Sequence, residues 1–313
     1  MKLVFMGTPD FAVPFLETLQ RSRHQVSLVV TQPDRPKGRG QKLAAPPVKE
    51  KALELGLPVA QPVSLKTPEF HDLIRAQAAD LLVVVAYRIL PDTLFPLARF
   101  GAVNVHGSLL PKYRGAAPIQ WAIASGEAET GVTLFQLDAL VDHGKILAQE
   151  KTPIGAAETS ADLFLRLREL GQGVLLRVLE DLEAGRARAL EQNHAEACPA
   201  PKLKKEDGRL DWNQPAQVLH NRIRAFNPYP ICHTMQVGTA KVLRIHTSQV
   251  ESPDPAAATL LPGEVRYSAD RHPLVGTGSG LLKLIEVQWE GKPRLGGPDF
   301  INGLQDRDSL AFE

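Results

Sequence analysis

The stretch DLLVVVA, residues 80–86, is an aliphatic run in which no polar residue alternates with the apolar ones. A strand that is exposed on one face shows such alternation, whereas a strand buried on both faces does not. The run therefore predicts the central strand of a parallel sheet covered on both sides by helices. Two further apolar runs, residues 2–6 and 26–31, are predicted to be strands of the same sheet.

Helix signals separate these strands. Thr67 is followed by proline and glutamate, which predicts an N-cap and a first turn, and Thr8 begins a similar pattern. Thr159 and Asp162 have the spacing of a capping box, ahead of a long amphipathic segment that reaches about Leu182. Strands that alternate with helices indicate an α/β domain with a parallel sheet.

The composition changes after this domain, which we place at residues 1–186. Residues 187–209 contain prolines and clustered lysines without an apolar period, so we interpret them as a basic linker. In residues 210–313, one predicted helix from 215 to 225 precedes several short β segments. Short strands separated by glycine and proline turns are typical of a small barrel.

The overall composition excludes several classes of protein. Lysine and arginine number 36 against 35 acidic residues, so the net charge of +1 does not indicate a polyanionic partner. Cys198 and Cys232 are too few for a disulfide framework or a thiolate metal site, and we expect reduced thiols. No apolar run approaches the roughly 20 residues of a membrane span. Because the strand-like start also lacks a cleavable leader pattern, a cytoplasmic protein without a membrane partner is predicted.

The common nucleotide and hydrolase motifs are absent from the sequence. The first turn holds a single glycine, Gly7, where a dinucleotide fingerprint would need several. The glycines of residues 276–280 lie between two strand-like runs and predict a hairpin turn. The sequence contains no P-loop, no HExxH and no GxSxG.

A polar pair marks the end of a predicted strand in the segment VNVHGSLLP, residues 103–111. Asn104 and His106 are two positions apart, so their side chains leave the same face at the edge where parallel sheets bind ligands. An amide donor beside an imidazole can stabilise an oxyanion. The backbone of residues 108–110 is predicted to be free to bond a ligand. Alternatively, His106 is a structural histidine that caps the strand end.

Two carboxylates follow another predicted strand. Asp142 lies in a turn, so we expect it against His106, where it would hold the tautomer and favour the acid form of the ring. Asp138, at the strand end, is expected to have a structural role. His143 is interpreted as facing solvent, with competition for Asp142 as the alternative.

Basic residues form a discontinuous series that would suit a phosphate backbone. The glycine- and proline-rich segment 35–49 contains no acidic residue. The alternative interpretation of this segment is a solvated flexible loop. The candidate residues for binding a nucleic-acid phosphate backbone are Arg35, Lys37, Arg39, Lys42, Lys204, Lys205, Arg222 and Arg224.

Several motifs resemble the folate-dependent formyltransferase family. They are FMGTPDFAVPFL at residues 5–16, NVHGSLLPKYRGAAPIQWAI at 104–123 and ETGVT at 129–133. TQPDRPKGRGQKL at residues 31–43 and IRAFNPYP at 223–230 make the whole chain similar to the methionyl-tRNA formyltransferase branch. The chain departs from the family at Tyr87-Arg88-Ile89, where a glycine and one more residue are usual, and at His143, where threonine is common.

The resemblance implies a Rossmann-like amino-terminal domain and an OB-like carboxyl-terminal β-barrel. It implies transfer of a formyl group from 10-formyltetrahydrofolate to the amino group of initiator methionyl-tRNA, without a metal, and we expect a monomer. The implied catalytic residues are Asn104, His106 and Asp142, and the implied folate-site residues are Ser108, Leu109, Leu110 and Pro111. Two alternatives stay open: a formyltransferase acting on a small-molecule amine, and a non-catalytic RNA-binding protein.

Overall fold

A computed structural model describes residues 1–37, 42–251, 260–304 and 310–313 of the chain, which divides into two units. The first unit comprises Met1–Pro118, Glu129–Pro153 and Phe164–Ala200, and the second comprises Ile119–Ala128, Ile154–Leu163 and Pro201–Glu313. Each unit is therefore discontinuous in sequence. The assignment of separate functions to residues 1–186, 187–209 and 210–313 stays a prediction.

A seven-stranded sheet forms the centre of the first unit. The strands of this unit are β1 (Lys2–Gly7), β2 (Gln25–Val30), β3 (Arg35–Lys37), β4 (Lys42–Ala44), β5 (Val59–Ala60), β6 (Leu81–Val85), β7 (Ala102–His106), β8 (Arg114–Gly115), β9 (Glu129–Gln136), β10 (Ile146–Pro153) and β11 (Pro199–Ala200). The sheet order is β10-β9-β7-β6-β1-β2-β5. Strands β5, β2, β1, β6 and β7 are parallel, whereas β9 and β10 run antiparallel at one edge. The Rossmann-like α/β architecture is thus confirmed, and the antiparallel edge was not predicted.

The aliphatic run that predicted a central strand is β6. All five of its residues are buried, and it pairs with β1 on one side and β7 on the other. One face of the sheet contributes Val4, Met6, Leu82 and Val84 to a buried cluster that includes Ile74 from a neighbouring helix. Burial of each such aliphatic side chain contributes about 1.5–3 kcal/mol, so this run is a major source of stability.

The helices are α1 (Val13–Arg21), α2 (Pro47–Glu54), α3 (Pro68–Ala76), α4 (Pro118–Ala124), α5 (Ser160–Glu183), α6 (Ala216–Ala225) and α7 (Gly297–Asn302). The helices predicted after Thr67, after Thr159 and at residues 215–225 begin close to those positions, whereas α2 and α7 were not predicted. The Thr67 hydroxyl accepts the N–H of Phe70 at 3.3 Å, and Thr159 and Asp162 bond reciprocally, which confirms both predicted caps. Thr8 is not a cap, because its hydroxyl instead accepts the N–H of Gln32 at 3.4 Å. None of the helices that the structure describes is long and apolar enough to cross a membrane.

An antiparallel sheet dominates the second unit. Its strands are β12 (Cys232–Met235), β13 (Val242–Glu251), β14 (Val265–Tyr267), β15 (Pro273–Gly276), β16 (Leu281–Trp289) and β17 (Leu295–Gly296). The order is β12-β13-β16-β15-β14, and the β15–β16 connection is the predicted hairpin. Phe312 bridges to Gln236 beside β12, and Ala311 bridges to Glu264 beside β14. Residues 311 and 312 thus join the two edges, as a small barrel requires.

Both cysteines are free thiols, as predicted. Cys232 is buried in β12, and burial raises the pKa of its thiol to about 12. Cys198 is half-buried, and its sulfur accepts the N–H of Tyr113 at 3.2 Å. Cys232 is therefore unlike an activated nucleophilic cysteine, in which nearby cations lower the thiol pKa.

Two glycines of α5 test the packing of this helix on the sheet. A Cβ on Gly171 would lie 2.9 Å from the Phe15 Cζ atom, whereas a Cβ on Gly173 meets no atom within 4 Å. We expect Gly171→Ala to destabilise the protein by about 1–3 kcal/mol through overpacking. Gly173→Ala should instead stabilise it by about 0.5–1 kcal/mol, because alanine favours the helix. Urea unfolding measures both, and equal effects would contradict this packing.

Candidate active site

His106 is the last residue of β7, and its ring is fixed by the chain that follows. The ring is 5% exposed, and Nε2 lies 2.8 Å from the carbonyl oxygen of Tyr113. A carbonyl can only accept, so Nε2 must carry the hydrogen. Phe135 packs edge to face on the imidazole, with ring centroids 6.4 Å apart. The second nitrogen, Nδ1, is therefore the one left for other chemistry.

The carboxylate nearest to His106 is that of Asp142, as predicted. Asp142 Oδ2 lies 3.7 Å from His106 Nδ1, which is an ion-pair distance and too long for a hydrogen bond. The same oxygen accepts the N–H of Gly115 at 2.8 Å, so the carboxylate is oriented by backbone. Both side chains are buried, where a charge interaction is stronger than in water.

Asn104 occupies β7 two residues before His106, so both side chains leave the same face of the strand. Asn104 is half-buried. Among the residues that the structure describes, none forms a hydrogen bond with its carboxamide. The amide is thus available to a ligand. The structural interpretation of His106 accounts for Nε2, but it does not explain why Nδ1 faces a buried carboxylate.

The predicted folate-site segment is more constrained than expected. The Ser108 carbonyl accepts the Thr133 hydroxyl at 2.7 Å, and Thr133 Oγ1 accepts the Leu110 N–H at 3.0 Å. Gln149 Nε2 donates to the Leu110 carbonyl at 2.8 Å. The Leu109 carbonyl accepts the Lys112 N–H at 3.1 Å, so the prediction that this backbone is free is wrong for carbonyls of all three residues. Ser108 and Leu110 are buried, and buried backbone groups require partners inside the protein.

Leu109 and Pro111 are half-buried, unlike the two residues that alternate with them. The Ser108 hydroxyl also bonds inward, donating to the carbonyl of Lys112 at 2.7 Å. A ligand at this edge would consequently meet Leu109 and Pro111 more readily than the polar groups of the segment. Sequence reasoning missed Thr133 and Gln149, although ETGVT, which contains Thr133, was part of the resemblance.

His143 does not compete for Asp142, so that interpretation is wrong, and its side chain keeps about 32% of its surface exposed. Its Nδ1 lies 2.7 Å from Asp138 Oδ2, and its ring stacks on His194 with centroids 4.0 Å apart. Asp138 also accepts the N–H of Leu140 at 2.9 Å. These bonds confirm the structural role expected for Asp138, and they leave Asp142 directed towards His106.

Part of the predicted linker, residues 187–209, lies against this site. Leu190 exchanges two hydrogen bonds of 2.8 Å with Ile146, and β11 pairs in parallel with β8. A Cβ on Gly115 of β8 would lie 2.5 Å from the Ala200 carbonyl oxygen, so only glycine permits this approach. Gly115 belongs to the RGAAP part of the resemblance, which was the available signal for its importance.

The segment after β6 departs from the family pattern and is anchored by Arg88. Its guanidinium donates to the carbonyls of Pro62 at 2.7 Å and Val63 at 2.9 Å, and to the Tyr87 hydroxyl at 3.0 Å. Burial raises the pKa of Tyr87. Ala86 has a φ of 48°, in the left-handed region, so the chain turns sharply where β6 ends. The altered segment is thus a fixed turn stabilised by one arginine.

The basic segment after β2 is only partly described. Arg35 is exposed and donates to Gln32 Oε1 at 2.6 Å, while Lys37 and Lys42 pair through their backbones in β3 and β4. Arg39 lies outside the described residues. A cavity of about 280 Å³ adjoins Arg35 and is lined by none of the candidate catalytic residues. Its lining residues are Thr8, Gln32, Pro33, Arg35, Pro36, Ala44, Ala45, Pro46 and Pro47.

The basic residues of the second unit differ in exposure. Lys204 and Lys205 are exposed, and neither forms an ion pair within the described part of the chain. Arg222 is half-buried and donates to the carbonyl of Asp207 at 2.6 Å. Arg224 is only 7% exposed, and burial lowers the pKa of its guanidinium.

Arg224 does not fit the predicted role in binding phosphate. Its Nη1 donates to the carbonyls of Gly155 and Glu158, both at 3.1 Å, and its Nε donates to Asn221 Oδ1 at 3.1 Å. A buried guanidinium whose donors already bond backbone carbonyls has a structural function. The sequence pattern could not reveal this, because the partner carbonyls lie more than 60 residues away.

Comparison with known proteins agrees with the geometry. The family model "Formyl transferase" matches residues 1–179, and "Formyl transferase, C-terminal domain" matches residues 202–305. Methionyl-tRNA formyltransferase of Koribacter versatilis (strain Ellin345) is 51% identical over 308 residues, covering 97% of this chain and 96% of the relative. The enzyme of the same name from Solibacter usitatus (strain Ellin6076) is 47% identical over 304 residues, with coverage of 97% and 96%. The chain therefore belongs to the formyl transferase family, in the branch of the methionyl-tRNA formyltransferases.

A solved structure supports the fold over nearly the whole chain. The crystal structure of WlaRD, a sugar 3N-formyl transferase in the presence of dTDP and 5-N-formyl-THF, has a TM-score of 0.67 at 18% identity. The match covers 94% of this chain and 99% of that one. At this identity the likeness concerns the fold.

Two threonines of β9 test how the 108–110 segment is held. Thr133→Val should remove the bonds to the Ser108 carbonyl and the Leu110 N–H. Leaving buried polar groups unpaired costs about 1–3 kcal/mol each, so a destabilisation of at least about 2 kcal/mol is expected in urea unfolding. Thr130 is buried on the same strand without a described side-chain hydrogen bond, and Thr130→Val is the control. Similar losses in both variants would contradict the assignment.

Proposed function

We propose that the chain transfers the formyl group of 10-formyltetrahydrofolate to the α-amino group of methionine on initiator methionyl-tRNA. The proposal is supported by the close relatives that bear the name methionyl-tRNA formyltransferase. The observation that carries it is the association of a free Asn104 amide, a fixed His106 ring and the Asp142 carboxylate. These groups suit acyl transfer to an amine, in which no side chain has to act as the nucleophile. The product is N-formylmethionyl-tRNA for translation initiation, and a cytoplasmic location is part of the proposal.

Asn104 and His106 would act on the formyl oxygen. When the amine adds to the formyl carbon, this oxygen becomes an oxyanion, which the Asn104 N–H groups and a charged imidazole can stabilise. The Tyr113 carbonyl already holds Nε2–H, so the ring would present its Nδ1 side to the reaction. Because the His106 ring is fixed before the substrate arrives, little reorganisation of this group is needed at the moment of reaction.

Asp142 would maintain the charged form of His106 and keep the ring in place. The carboxylate faces Nδ1 at 3.7 Å, so a proton there would have an acceptor nearby. As the new N–C bond forms, the attacking amine loses a proton to Asp142 or to an ordered water. The bond between the formyl carbon and N10 of the carrier then breaks, N10 takes up a proton, and tetrahydrofolate leaves.

The acceptor would be held through its phosphates by exposed basic residues. Arg35, Lys204 and Lys205 are exposed, and Arg222 is partly available. We retain Lys37, Arg39 and Lys42 in this role on the strength of the sequence. Residues whose donors are used inside the protein, as in Arg224, are left out of the proposed surface. A small-molecule acceptor would have no use for this basic series.

The catalytic role of His106 is tested by His106→Ala. Losing one oxyanion donor typically costs about 10²–10³-fold in rate, so single-turnover formylation should fall by that factor while folate binding survives. His71 is the matched control, because its Nε2 also contacts a backbone carbonyl, that of Leu65 at 3.1 Å. His71→Ala should keep the rate of the unmodified protein. A loss of less than about tenfold in His106→Ala would assign His106 to structure, since that is only about 1.4 kcal/mol of barrier.

The basic series is tested by the salt dependence of tRNA binding. Arg39→Ala and Lys205→Ala should each weaken binding and reduce the slope of log K against log salt by about one unit. Lys66 is exposed on the first unit, and Lys66→Ala controls for the loss of one positive charge. Folate affinity should stay constant in all three variants. Unchanged slopes for Arg39→Ala and Lys205→Ala would exclude these residues from the tRNA site.

A further inference from the structure

A buried carboxamide supports the turn that carries Asp142. Gln192 is 5% exposed, and its Nε2 donates to two carbonyls of that turn, those of Asp142 at 3.0 Å and Gly144 at 2.7 Å. Its Oε1 accepts the Arg114 guanidinium, with an Nη2–Oε1 distance of 2.6 Å. Both N–H groups and the oxygen of the amide are therefore engaged.

The chemistry of the partners fixes the orientation of this amide. Backbone carbonyls only accept, and a guanidinium only donates, so the nitrogen of Gln192 must face the turn and its oxygen must face Arg114. Arg114 Nη2 also lies 2.8 Å from His194 Nδ1, which holds the guanidinium in place. The bond to Arg114 thus prevents the amide from turning its oxygen towards the carbonyls.

The turn itself needs such support. Asp142 has a φ of 51°, a left-handed conformation that is unfavourable for a residue with a Cβ and that persists where surrounding contacts impose it. Gly144 is packed so closely that a Cβ would lie 1.8 Å from the Gln136 carbonyl oxygen. Gln192 bonds to both residues, so it holds the backbone on either side of His143.

We propose that Gln192 is a positioning residue, which keeps the Asp142 carboxylate against His106 by bonding the Asp142–Gly144 turn. The assignment rests on the proposed function, because the position of this turn affects the reaction only if Asp142 is catalytic. Gln192 does not touch the reacting atoms in this account. It acts through Asp142, whose side chain is oriented separately by the Gly115 N–H.

Two substitutions remove the hydrogen bonds from Gln192 to the turn while keeping the approximate size of its side chain. Gln192→Met keeps an unbranched chain of similar length but removes both donors. Gln192→Glu also keeps the shape and the acceptor for Arg114, but it places a carboxylate oxygen against two carbonyls. Because a displacement of about 1 Å at a reacting centre can cost about 10²-fold, both variants should lose about that factor in single-turnover formylation. Folate affinity should be unchanged, and Gln192→Glu keeps the test valid if Gln192→Met does not fold.

A double-mutant cycle with Asp142→Asn supplies the readout that a merely structural role would not change. If Gln192 acts through Asp142, the double variant Gln192→Glu/Asp142→Asn should be no slower than Asp142→Asn alone, within about twofold. The control is Gln172→Leu, which removes carboxamide bonds to the Thr18 hydroxyl and the Arg168 carbonyl in the same unit. It should leave the rate unchanged.

Three outcomes would overturn the proposal, and they are distinguishable. If the unmodified protein forms no N-formylmethionyl-tRNA, the proposed function fails and this assignment falls with it. If the unmodified protein is active and Asp142→Asn is slow, but Gln192→Glu retains the full rate, only the positioning role is wrong. Losses that multiply in the double variant would show that Gln192 acts independently of Asp142.

Discussion

Every backbone N–H and C=O group that is buried where the strands of the first sheet end needs a hydrogen-bond partner inside the protein. Ser108 and Leu110, which follow β7, are buried, so their backbone groups take partners from Thr133 and Gln149 on the antiparallel strands. The Tyr113 carbonyl takes its partner from His106, which fixes the imidazole as a consequence of the same requirement. The same set of hydrogen bonds therefore satisfies the backbone groups of the fold and orients the side chains of the site.

The sequence predicted those features that depend on neighbours in the chain. The uninterrupted run of β6 indicated a strand buried on both faces, and the Asn-x-His spacing placed two side chains on one face of β7. The contribution of Gln192 could not be predicted, because its amide contacts carbonyls about 50 residues away and nothing local indicates that pairing. The freedom assumed for the backbone of residues 108–110 failed for the same reason. Its partners lie on strands whose antiparallel placement was not predicted.

In the predicted basic series, charge in the sequence and exposure of the side chain lead to different conclusions about which residues can bind a polyanion. Arg222 and Arg224 are two positions apart on α6 and have equal charge. Burial nevertheless commits Arg224 to the carbonyls of Gly155 and Glu158, whereas Lys204 and Lys205 stay exposed. Charge counted along the sequence overestimates the surface that can meet a polyanion, because a buried arginine also serves as a donor to backbone carbonyls.

The central claim is that the Tyr113 carbonyl holds His106 so that Nδ1 is the nitrogen directed to Asp142 and the substrate. Long-range ¹⁵N–¹H correlation of the His106 ring in the otherwise unmodified protein tests this most directly, because it reports which nitrogen carries the hydrogen of the neutral imidazole. The contact with the Tyr113 carbonyl predicts the Nε2–H tautomer for His106. A neutral ring that carries its hydrogen on Nδ1 would contradict the account, because Nε2 could not then donate to Tyr113.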